Sequence, residues 1–99
     1  MQIERQNWPK TVGQAARQII AGLDDKSRAH LRTMDKRRLI KYHRGWGMGI
    51  RNDFGLWRGN TTLLKSCGKG KLVHPDSCSM TIIYAVWQLL QDPESSLQK

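Results

Sequence analysis

The segment from Met80 to Leu90 constrains the fold more than any other part of this sequence. Met80, Ile82, Ile83, Val86, Trp87, Leu89 and Leu90 would cover more than half the circumference of a helix, leaving Thr81, Tyr84, Gln88 and Gln91 on the other side. Such a helix needs neighbours on several sides. It is expected to be central to a core, or to line an oligomer face as well. In a chain of 99 residues it must be the organising element of one small body.

The rest of the chain supplies its neighbours. After Trp8-Pro9-Lys10, Thr11 and Gln14 have the spacing of a capping box. Val12, Ala15, Ala16, Ile19, Ile20 and Leu23 then form one apolar stripe at helical spacing. Asp24-Asp25 can cap a short second helix, about Lys26 to Met34, with Ala29 and Leu31 as its apolar residues. Asp35 is placed to cap a third. Thr61 to Cys67 reads as a fourth helix with Leu63 and Leu64 inward. His74-Pro75-Asp76 opens the last one, with Pro in the first turn and Asp as the cap. Asp92-Pro93 stops it. No segment alternates with period two for long enough to make a strand. The expectation is an all-α, compact single domain of four to five helices over residues 1–92, with 93–99 as a flexible tail.

Charge is segregated along this chain. Residues 1–35 hold six Lys/Arg and four Asp/Glu, residues 36–74 hold ten and one, and residues 75–99 hold one and three. The net charge of +9 is therefore a property of the middle. A local cationic surface favours an anionic macromolecule, either nucleic acid or an acidic protein surface. On a wheel of about 100° per residue, Arg37, Lys41, Arg44 and Arg51 share one side of the third helix. The flexible loop Gly68-Lys69-Gly70-Lys71 adds Lys69 and Lys71. These six are the candidate residues for binding an anionic partner. A solvated face is the competing reading, but residues 36–52 contain no acid to balance it. A helix-turn-helix made by helices two and three fits less well, because few side chains at the third helix's start suit base readout.

Gly45-Trp46-Gly47-Met48-Gly49 resembles a phosphate loop only in its glycines, since no strand precedes it and no Lys-Ser or Lys-Thr follows. Close packing through Gly45 and Gly49, four residues apart, is the better explanation. Otherwise the glycines mark a kink or an early helix end near Gly45. Cys67 and Cys78 are too few for a disulfide framework, and free thiols in a cytoplasmic setting are expected. Cys67, His74 and Cys78 do not match a common zinc spacing, so neither a metal nor a cofactor is expected. Nothing in residues 1–10 resembles a secretory signal, and no stretch is long and apolar enough to span a membrane.

Trp8-Pro9-Lys10-Thr11, His43 with Gly47, Ile50-Arg51-Asn52, Phe54-Gly55-Leu56-Trp57 with Asn60, and His74-Pro75-Asp76 with Ser79 together resemble a small bacterial family of uncharacterised domains. The resemblance runs from about Trp8 to Leu90. It implies a compact helical domain and supplies no activity. By analogy, short accessory proteins of this kind are often carried by phages or by defence and immunity loci. The leading expectation is a non-enzymatic basic binding protein. One rival is a phage- or defence-associated inhibitor or immunity protein that docks by an apolar patch around Trp57 and Trp87. The other is a small enzyme using His43, His74 and Asp76.

Overall fold

The long C-terminal helix is the axle of the structure. The computed structural model describes residues 4–91. Among them are five α-helices: α1 (Val12–Gly22), α2 (Asp25–Thr33), α3 (Trp46–Asp53), α4 (Thr61–Cys67) and α5 (Pro75–Gln91). Two 3-10 helices, Arg5–Asn7 and Lys36–Tyr42, complete the described secondary structure, which contains no strand. The fold is therefore all-α, with more helical segments than the four to five expected. The predicted tail at 93–99 lies outside the described residues. α5 packs against α1, α2, α3, α4 and the second 3-10 helix. Its Cys78, Ile82, Ile83 and Val86 are completely buried.

Side-chain caps set the helix boundaries. Thr11 accepts the Gln14 amide at 3.1 Å, and the Gln14 side chain reaches back to the Lys10 amide at 2.9 Å. Asp24 accepts the Ser27 amide at 2.7 Å. Asn60 caps α4 by accepting the Leu63 amide at 3.2 Å. The same buried Asn60 donates to the carbonyls of Pro9 and Phe54, tying the N-terminal segment to the α3–α4 turn. At α5 the cap expected of Asp76 is supplied by His74. His74 Nδ1 accepts the Asp76 amide at 3.0 Å, so the imidazole is the capping acceptor. Asp76 lies within the first turn, where its charge complements the helix dipole.

The largest departure from expectation lies at residues 36–52. A single α-helix there is replaced by a seven-residue 3-10 helix, a turn at His43–Gly45, and then α3. Each 3-10 residue advances about 120°, so side chains three apart eclipse. Leu39 turns fully inward, while Arg38 and Lys41 line one hollow together and Ile40 and His43 line another.

The helical run breaks near Gly45, as the glycines allowed, but the close-packed position is two residues from each expected one. A side chain at Gly45 or Gly49 would meet nothing within 4 Å. Gly47 is the close-packed glycine: a Cβ there would sit 3.0 Å from Arg51 Nη1 and 3.4 Å from Ser79 Oγ. Gly55 has a φ of 68° and its face is covered by the Trp8 ring, so both backbone and space exclude a side chain.

The cysteines are not free thiols. Cys67, the last residue of α4, is bonded to Cys78 in α5, with Cα atoms 5.2 Å apart. The bond closes a loop over a sequence separation of 11, containing Lys69, Lys71, His74 and Asp76. It corrects the expectation of reduced cysteines and removes the thiol argument for a cytoplasmic setting.

Candidate functional site

Two regions gather the residues singled out by the sequence. The first is where α3 meets the start of α5. His43, Arg51, His74, Asp76 and Ser79 come from separate parts of the chain and converge here. Arg51 is only 6% exposed. Its Nη1 donates to Ser79 Oγ at 2.9 Å and to the His43 carbonyl at 3.3 Å, and its Nε lies 3.4 Å from Asp76 Oδ1. Ser79 in turn donates to the Asp76 carbonyl at 2.9 Å. A buried guanidinium needs this saturation, because an unpaired one would carry a large desolvation penalty. Gly47 leaves the room that the guanidinium occupies. Arg51 was expected on the exposed cationic stripe; it is instead an internal tie between α3 and α5.

The same region holds the three candidates for catalysis. His43 Nε2 and His74 Nδ1 each lie 3.8 Å from Asp76 Oδ2. The His74 nitrogen also accepts the Asp76 amide. The distance from His43 exceeds hydrogen-bond reach. Its Nδ1 is buried and has no hydrogen-bond partner among the described residues. Asp76 is engaged by Arg51, and the Ser79 hydroxyl is used in both directions. The fold thus brings His43, His74 and Asp76 together beside the hydrogen-bonded pair Arg51 and Ser79. Among the described residues, no three His, Cys, Asp or Glu side chains are grouped to hold a metal ion.

The second region is the surface formed by α2, the second 3-10 helix and the start of α3. Asp35 caps the 3-10 helix, accepting the Arg37 amide at 2.9 Å and gripping the Arg37 guanidinium at 2.9 Å. The Arg37 guanidinium and backbone N–H hold the Asp35 carboxyl below the usual range. In return Asp35 pushes the Arg37 guanidinium up. Arg37 is thus partnered within its own turn. Arg38, Lys41 and Arg44 are exposed, and none of them forms an ion pair among the described residues. Lys41 Nζ rests 5.3 Å from the Tyr42 ring centroid. Arg38, Lys41 and His30 line a hollow of about 370 Å³ with Thr33, Met34 and Asp35. His30 also borders a larger groove of about 590 Å³, lined by Leu23, Lys26, Ser27, Leu31, Tyr42 and Trp46. Tyr42 and Trp46 meet edge to face with centroids 5.5 Å apart.

Lys69 and Lys71 are exposed in the turn after α4, where Lys69 adopts a φ of 55°. Trp57 and Trp87 do not make one apolar patch. Trp57 is 56% exposed and packs edge-on against His74, at the start of α5. Trp87 lies 13 residues further along, about 20 Å at the helical rise. It is half-buried, and its indole N–H donates to the Met34 carbonyl at 2.9 Å.

Sequence reasoning missed Arg38, because a 100° wheel assigns it to another face. It also missed the groove, since Leu23, Tyr42 and Trp46 belong to three different segments. The run of cations around Leu39 was the available signal, but only the 3-10 geometry aligns Arg38 with Lys41.

The fold defines a small helical domain wrapped around one buried helix, with an internal arginine tie and an unpaired cationic surface. The chain belongs to the family described as a domain of unknown function (DUF6794), whose model matches residues 8–90. No curated protein and no solved structure matches it. Among the described residues, no helix is long and apolar enough to cross a membrane.

Proposed function

We propose that this chain is a non-enzymatic binding protein that meets an anionic macromolecule through the exposed cations of its second 3-10 helix and the turn after it. One observation carries the reading. Arg37 and Arg51 are ion-paired within the fold, whereas Arg38, Lys41 and Arg44 are exposed and form no ion pair among the described residues. Like charges crowded at a surface repel, and an anionic partner relieves that repulsion. Lys69 and Lys71 are a secondary cationic contribution from the loop that the disulfide closes. The engaged state of Arg51, Asp76 and Ser79 favours binding over catalysis.

Charge reversal tests this directly. Lys41→Glu with Arg44→Glu should leave the helical circular dichroism spectrum intact and abolish capture of the partner from a lysate. Anisotropy titrations on single-stranded and duplex DNA and RNA, repeated at two salt concentrations, then identify the anion. Nucleic acid that contacts several phosphates loses affinity by orders of magnitude over a modest rise in salt. Capture that survives nuclease treatment and disappears in the variant indicates an acidic protein. A variant that captures the same partner as the parent chain refutes the reading.

A further inference from the structure

We infer that the partner is a protein, and that it presents an acidic amphipathic segment whose apolar side chains enter the groove between α2 and Trp46. This rests on the binding reading above and names the partner class for the same surface.

The groove and the cations form one continuous feature. His30 lines both the 590 Å³ groove and the 370 Å³ hollow, and Lys41 lines the hollow while resting on Tyr42, which lines the groove. The groove's floor is Leu23, Leu31, Tyr42 and Trp46, and its rim carries the exposed Lys26 and His30. The nearest carboxylates along the chain, Asp24 and Asp25, are exposed beside Lys26 and each has a partner within α2. Asp24 caps α2, and Asp25 lies 3.5 Å from Arg28. An apolar slot with Lys26 on its rim, continuous with the exposed Arg38 and Lys41, complements a segment with apolar side chains on one face and Asp or Glu beside them.

Such segments bind as helices with anchors at i, i+3 or i+4, and i+7. The tight aromatic pair supplies the rigid contact area on which apolar anchors gain most of their energy. Nucleic acid fits this surface less well. A base entering the groove buries polar edges, and only Ser27, His30 and the ends of Lys26 and the aromatics offer partners. An aliphatic or aromatic side chain has no such edges to satisfy.

The test is a selection from a displayed library of random peptides panned on the full chain. The best enriched peptide is then synthesised with a fluorophore and titrated by anisotropy. Enriched sequences should be acidic with apolar residues at helical spacing. Ser27→Tyr fills the groove from a half-buried position while keeping the backbone amide that Asp24 caps. It should weaken the peptide roughly tenfold or more. Lys26→Glu with His30→Glu changes only exposed rim residues and should weaken it similarly, which guards against a folding artefact in the first variant. Neutral or basic winners overturn the inference, as does a peptide that binds Ser27→Tyr and the rim variant as well as the parent. If no peptide is enriched and an oligothymidylate binds in a Lys41- and Arg44-dependent way, the anionic-partner reading stands and the protein partner falls. If neither probe depends on Lys41 and Arg44, both fall.

Discussion

The junction of α3 with α5 and the second 3-10 helix hold their cations in opposite environments. Where α3 meets the start of α5, Arg51 is buried and bonds to Asp76, Ser79 and the His43 carbonyl. On the 3-10 helix and in the turn after it, Arg38, Lys41 and Arg44 are exposed and form no ion pair among the described residues. A cation that folds the protein is buried and saturated. A cation available to a partner is exposed and unpaired. Burial and pairing, rather than charge count, therefore separate structural from functional candidates in a basic domain such as this one.

The largest expected effect comes from dismantling the internal network. Arg51→Met removes the tie between α3 and α5 and leaves Ser79 and Asp76 without their donor. A loss of about 3 kcal/mol is expected, at the low end for a broken buried pair because Asp76 is itself half-exposed. Urea denaturation checks this. An unchanged midpoint would place Arg51 with the surface cations and collapse the comparison.

Reduction of Cys67–Cys78 comes next. Opening this short loop should lower stability by about 2–3 kcal/mol, through added entropy of the unfolded chain. Thermal melts with and without a reductant measure it, and identical melts would mean the bond does not form in solution.

A pair of glycine variants sharpens the comparison further. Gly47→Leu should cost about 1–3 kcal/mol by driving a side chain into the Arg51 guanidinium and Ser79. Gly49→Leu should be neutral or mildly stabilising, since its Cβ meets open space and leucine is the better helix former. The reverse order would show that α3 is rotated from the orientation described.

These two glycines also show what could be read from the sequence. Cap residues with their own side-chain chemistry, such as Thr11, Asp24 and Asp35, were legible because each acts locally. The apolar sweep of Met80 to Leu90 likewise announced a central helix. The 3-10 helix was not legible, because Lys36 to Tyr42 carries no glycine or proline to forbid an α-helix; tertiary burial of Leu39 accompanies the tighter winding. Once that winding is missed, every face assigned from Arg37 to Arg51 is rotated. The disulfide was hidden for a related reason: two cysteines in sequence do not reveal that α4 and α5 set them side by side.

Acid should weaken the exposed caps. Asp35 is held below the ordinary carboxyl range by the Arg37 side chain and backbone, and Asp24 by the Ser27 amide. A depressed folded-state pKa means that the ionised caps stabilise the fold above the ordinary carboxyl range. That contribution is lost as pH falls through the depressed values. Asp35→Asn should flatten the acid limb of a stability–pH profile. A limb that keeps its full slope in the variant would place the sensitive carboxylate elsewhere.

The smallest expected effect bears most directly on the central claim, that the cations of the 3-10 surface are held for a partner and not for the fold. It is the urea midpoint of Lys41→Glu with Arg44→Glu, compared with that of the parent chain. No ion pair is lost, and repulsion is relieved at the expense of one exposed cation–π contact with Tyr42. The account predicts a stability within about 0.5 kcal/mol of the parent, or slightly above it. A loss of more than about 1 kcal/mol would contradict the account, because these cations would then be stabilising the fold themselves.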